Sequence, residues 1–187
     1  MPLPARKYLF VIALLLCASL ALDAAQKKSS TPTKKAEPAA AEPAGKPIAV
    51  HDFSAEGVQV ALMEVTRTAP DVVTVKWEYR NTTAKEQELA ADAKGWSDPY
   101  RLSWDTYLLA DDGKTKLPLM KDGKGIPVAA VHGRAAQHSI MVLPNKTLKT
   151  WAKYSAPSSN KKVTVVISGS EPFEGVEVKE PEQKPGN

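Results

Sequence analysis

The sequence predicts an all-β domain folded as an antiparallel sandwich, and three observations carry that reading. Large apolar residues recur with a period of two: Val73, Val75, Trp77 and Tyr79 alternate with Thr74, Lys76, Glu78 and Arg80. That alternation gives an extended segment one apolar and one polar face. Turn residues punctuate the chain every 8 to 12 residues or so, the spacing of short strands in two packed sheets. The stretch 48–180 has ordinary domain length, and 43% of the chain is hydrophobic, so one core can form without a metal or a disulfide.

Taken in order, Val58, Val60 and Leu62 alternate in a first strand, and Thr68-Ala69-Pro70-Asp71 turns it into the strand Val73–Tyr79. Residues Ala84 to Lys94 are ambiguous. Their Lys, Glu, Gln, Leu and Ala favour a helix that Gly95 would cap, within an otherwise all-β pattern, so a short helical turn and an irregular strand are both open. The run Lys94-Gly95-Trp96-Ser97-Asp98-Pro99-Tyr100-Arg101 reads as a polar loop. Tyr107-Leu108-Leu109 then leads into Asp111-Asp112-Gly113, where Asp-Gly supplies the positive φ of a tight hairpin, and Lys116 to Met120 returns. A second turn, Lys121-Asp122-Gly123-Lys124-Gly125, precedes a strand at 127–131, and Pro118 and Pro127 mark edges because neither can donate to a ladder. The residues between His132 and His138 form a surface loop. Strands follow at 139–142, 147–154, 163–167 and 176–178.

The ends of the chain have a different composition. Arg6 and Lys7 precede an apolar run from Tyr8 to Leu22, with small residues at Ala24 and Ala25. This is the layout of a signal peptide over residues 1–25, too short and too abruptly polar afterwards for a stable span of a bilayer core of roughly 30 Å. The single cysteine, Cys17, lies inside the apolar run; Leu16 before it is unlike the small residue that lipid attachment requires, so lipidation at Cys17 is the less favoured course. Residues 26–47 are rich in Lys, Ala and Pro with no aromatic residue, the composition of a disordered linker, and 181–187 form a flexible tail. The linker carries five Lys and two Glu, whereas the remainder after residue 47 has equal numbers of basic and acidic residues. A nucleic-acid reader would concentrate its positive charge in the folded part, so that class is excluded.

Three runs resemble a known family. They are Val75-Lys76-Trp77-Glu78-Tyr79-Arg80-Asn81-Thr82-Thr83; Asp98-Pro99-Tyr100-Arg101-Leu102 with Asp105-Thr106-Tyr107-Leu108; and Trp151 to Pro157 with Val163 to Ile167 and Pro172-Phe173-Glu174. Together they resemble the immunoglobulin-like extracytoplasmic domain of uncharacterised bacterial secreted proteins, across most of residues 56–178. The resemblance implies an immunoglobulin-like sandwich and a periplasmic or secreted location, and it brings no catalytic residues. The cysteine pair of antibody domains is missing.

Candidate chemistry is sparse. Catalysis needs a base beside a nucleophile or paired acids in a cleft, and the histidines are only His51, at the linker border, and His132 and His138, in a loop. No nucleophile elbow or phosphate-cradling glycine loop occurs. An enzyme would need a cleft gathering acids such as Asp98 and Asp105. A copper-type metal carrier would use His132, His138, Met120 and Met141, although Met141 also fits a core position. Of the four tryptophans, Trp77 belongs to the core face and Trp151 could face either way. Trp96, Tyr100 and Arg101 are the candidate ligand-binding residues, because an exposed ring can stack on a sugar and Arg can hold a carboxylate. The expected function is therefore a non-enzymatic exported domain that binds an envelope protein or a cell-wall polymer, without cofactor or resident metal. The metal carrier is the alternative.

Overall fold

A computed structural model describes residues 45–90, 98–132 and 139–181. The elements are β1 (Ala49–Asp52), β2 (Val58–Ala69), β3 (Val72–Asn81), β4 (Gln87–Ala90), α1 (Arg101–Trp104), β5 (Tyr107–Leu109), β6 (Lys116–Leu117), β7 (Ile140–Val142), β8 (Thr147–Ser155), β9 (Lys162–Val166) and β10 (Phe173–Glu177). One four-stranded sheet runs β1-β2-β3-β8, a second runs β10-β9-β5-β6, and β4 pairs with β7 in a two-stranded ribbon. Every strand pair is antiparallel.

The alternation in β3 organises this arrangement. Val73, Val75, Trp77 and Tyr79 face inward and are at most 1% exposed, and they meet Leu108, Val163, Val165, Ile167 and Phe173 of the opposite layer in one core. Each fully buried aliphatic or aromatic side chain contributes about 1.5 to 3 kcal/mol of transfer free energy; β8 alternates exposed and buried positions most cleanly, whereas β2 carries a register shift between Leu62 and Glu64.

Three buried polar groups fasten the layers. Tyr154 Oη, on β8, donates to Thr106 Oγ1 at 2.6 Å, and Thr106 Oγ1 donates to the Ser103 carbonyl at 2.6 Å, so α1 is tied across the core to the other sheet. Asn81, at the end of β3, shares its Nδ2 among the carbonyls of Lys85, Val142 and Leu143 while its Oδ1 accepts from Thr83. That side chain attaches the β4–β7 ribbon to the main sheet. Arg67, 4% exposed, donates from Nη1 to the carbonyls of Pro70 and Ala156 and from Nη2 to that of Asn160, closing the opposite end of the sandwich.

Of the two courses open to the ambiguous segment, the irregular strand is the one adopted: β4 has a register shift between Glu88 and Ala90, because edge pairing to β7 overrides its helical propensity; its residues 91–94 lie outside the described residues. Other expectations need correction. Arg101 is not in a loop but opens α1. Residues 127–131 make isolated bridges at Pro127 and Ala129 rather than a strand. Met141 is 37% exposed because β7 belongs to a two-stranded ribbon with an open face, so it is not a core residue. His51, next to the linker border, sits on β1 with its ring stacked on Phe173 at 4.2 Å.

Candidate functional site

The expected aromatic loop is only partly described. Trp96 lies outside the described residues. Tyr100 is half-buried and packs against the core, and Arg101 lines a small pocket of about 170 Å3 with Phe53, Tyr79, Leu89, Asp105 and Gly169. Burial pushes the Tyr79 phenol up to about 12, so it stays a neutral hydrogen-bonding group at physiological pH. Among the described residues of this stretch the exposed ring is Trp104, 40% exposed, a residue that sequence reasoning passed over.

Trp104 is already committed to its own neighbourhood. Its indole N–H donates to Asp98 Oδ2, and Lys121 Nζ stands 4.8 Å from its ring centroid, an intramolecular cation–π contact. Asp98 Oδ1 accepts from the Tyr100 backbone N–H at 2.8 Å. Both Asp98 oxygens therefore organise the turn before α1, and the pair of acids Asp98 and Asp105 is split: the first holds the turn while the second lines the pocket.

His132 is half-buried, its backbone N–H bonds to the Pro99 carbonyl at 2.9 Å, and burial lowers its pKa from the ordinary histidine value. His138 lies outside the described residues. Met120 donates its backbone N–H to the Lys153 carbonyl on β8, whereas Met141 is on β7 opposite Glu88, so the two residues are held by different strands. Among the described residues no group of three or more His, Cys, Asp or Glu could hold a metal.

A more open face lies on the outside of the β1-β2-β3-β8 sheet. Trp151 is 37% exposed, directly opposite Lys76 on β3 in the β3–β8 register. Alternation along β8 places Lys149 and Lys153 two residues to either side on the same face. Lys76 bonds to Glu64 at 2.8 Å and Arg80 to Glu78 at 3.0 Å, so those cations are balanced. Lys149 and Lys153 have no carboxylate within ion-pair distance among the described residues, and the Trp151 ring, unlike that of Trp104, carries no aromatic or cationic partner among them. Lys149 has Glu78 opposite it in the same register, without an ion pair between them, and a bare indole between two ammonium groups can stack on a sugar ring while neighbouring charges meet its acidic substituents. Alternation in β8 by itself leaves the side of Trp151 open; the burial of Thr150, Ala152 and Tyr154 marks them as the inward set and leaves the odd positions outward.

No helix among the described residues is long and apolar enough to cross a membrane. No protein-family description and no curated protein matches the chain. Among solved structures, it is similar to the crystal structure of a functionally unknown protein from Listeria monocytogenes EGD-e, at 12% sequence identity and a TM-score of 0.37, over 71% of this chain and 87% of that one.

Proposed function

We propose that this chain is a non-enzymatic exported domain that binds an acidic cell-wall polymer on the outer face of the β1-β2-β3-β8 sheet. The observation that carries the reading is Trp151, solvent-facing between Lys149 and Lys153 and opposite Lys76. Export rests on the signal-peptide layout of residues 1–25, which implies a periplasmic or secreted location. One exposed stacking contact contributes about 0.5 to 1 kcal/mol, and each surface ammonium adds a screened attraction of similar size. A single such site is weak. A repeating polymer offers many copies of its unit to a site of this kind, and that raises the effective concentration of rebinding. Weak, salt-sensitive binding to a chain-like anion is the expected behaviour.

Affinity electrophoresis in gels containing polygalacturonate, an acidic glycan, or dextran, a neutral one, tests the reading. The wild-type domain should be retarded by the acidic polymer at low salt, and Trp151→Ala and the double variant Lys149→Ala/Lys153→Ala should each lose retardation while keeping the wild-type melting temperature. Equal retardation of all three proteins would remove this face from the function.

A further inference from the structure

The two edge strands β1 and β10 leave a cleft between them that is built differently from the rest of the fold. β1 is the edge of one sheet and β10 the edge of the other. Their segments begin to pair at Phe53 and Ser170, with Ser54 N–H bonded to the Gly169 carbonyl at 2.7 Å, and then separate. At the far end Lys179 pairs with β2, its N–H to Val65 and its carbonyl to Arg67. Between these closed ends lies a cleft of about 870 Å3, walled by Ile48 and by Glu171, Glu174 and Glu177. The stacked rings of His51 and Phe173 form part of its floor, and His51 Nδ1 donates to the Glu171 carbonyl at 3.0 Å.

Both walls present unused backbone groups. Phe53 N–H bonds to the Val58 carbonyl, so by antiparallel alternation residues 49, 51 and 53 turn their N–H and C=O toward β2 and Val50 turns its pair away from it. On the other wall Val178 N–H bonds to the Lys161 carbonyl, which directs residues 176 and 178 toward β9 and leaves Glu177 directed outward, while the register shift between Phe173 and Val176 ends the alternation at Gly175. Lys179 continues this alternation and finds β2. A strand residue occupies roughly 160 Å3, from about 3.3 Å along the chain, 4.8 Å across and 10 Å between layers, so the cleft has room for about five. Its walls carry three carboxylates against Lys179. That excess of negative charge selects a cationic occupant and repels a second copy of the equally acidic β10.

We infer that this cleft is a strand-addition site for an extended, lysine- or arginine-bearing segment of a partner protein, which pairs its backbone with Val50 on one side and with Glu177 on the other. Backbone pairing supplies the affinity and the glutamates select the charge, the division of labour of β-augmentation. The site is separate from the Trp151 face, and either can fail without the other.

A seven-residue peptide alternating lysine and valine, labelled for fluorescence anisotropy, tests the inference on the full chain. It should bind, while the same sequence N-methylated at every second residue, and an alternating glutamate and valine peptide, should not. Glu174→Lys/Glu177→Lys, at two exposed positions, should weaken binding at least tenfold at an unchanged melting temperature. Val50→Pro, which removes an outward N–H and no β1–β2 bond, should weaken it as well. Absence of binding by the lysine peptide, or equal binding of its N-methylated form, would overturn the proposal.

Discussion

Arg67→Met isolates what one buried cation contributes at the end of this sandwich. Methionine keeps most of the apolar stem, so the loss falls on the three carbonyls of Pro70, Ala156 and Asn160. The bond to Ala156 is buried; leaving that carbonyl unsatisfied costs about 1 to 3 kcal/mol. The other two carbonyls are partly buried and regain water, at about 0.5 to 1 kcal/mol each. Relief of the guanidinium's own desolvation offsets part of this. The net expectation is about 2 to 4 kcal/mol, a fall in melting temperature of roughly 6 to 16 °C for a domain of this size. Glu180→Gln is the internal control. Glu180 lies 3.3 Å from Arg67 but is 48% exposed, and exposed ion pairs contribute little, so its loss should hardly register. Chemical denaturation followed by tryptophan fluorescence would measure both. The reasoning is refuted if Arg67→Met lies within about 0.5 kcal/mol of wild type, the range of ordinary surface substitutions, or if Glu180→Gln costs as much as Arg67→Met.

Trp77→Ala should cost about 3 to 5 kcal/mol because its ring is 1% exposed, whereas Trp104→Ala should cost less than about 1 kcal/mol; equal losses in thermal melts would contradict the assignment of core and surface. Gly169→Ala should destabilise by about 2 kcal/mol or more, since φ is +87° there and a Cβ would stand 2.6 Å from Phe53 Cε2; a melting temperature equal to wild type would be inconsistent with that contact. Glu64 has its pKa lowered, chiefly by the hydrogen bond from Lys76, so its contribution is present above the ordinary carboxylate range and lost as pH falls through its folded pKa. The melting-temperature gap between wild type and Glu64→Gln should accordingly close in acid, and a gap independent of pH would contradict it. Burial raises the Tyr79 phenol to about 12 from 10.0 and raises Tyr154 also. Stability should then hold below pH 10 and decline as pH climbs toward 12, and early ionisation of these two phenols in the folded protein, read by ultraviolet absorbance, would contradict their burial.

Period-two alternation by itself determined the strands with one buried face. In β3 the inward set could be read directly, because an apolar residue at every second position fits only a half-buried strand. Turn chemistry located the Asp112-Gly113 hairpin, where Gly113 has a φ of 64°.

What only the tertiary structure decided was set by partners distant in sequence. β1 has no strong alternation and exists because it can pair with β2, and β4 is a strand because β7 lies beside it. Trp151 could not be assigned a side from its own neighbours; the register with Lys76 and the burial of Ala152 and Tyr154 turn it outward. The cleft between β1 and β10 joins residues more than a hundred positions apart, as the bond from His51 to Glu171 illustrates. Local sequence records the period of a side-chain pattern, whereas which edges meet, and which remain unpaired, depends on how the two sheets close on one core.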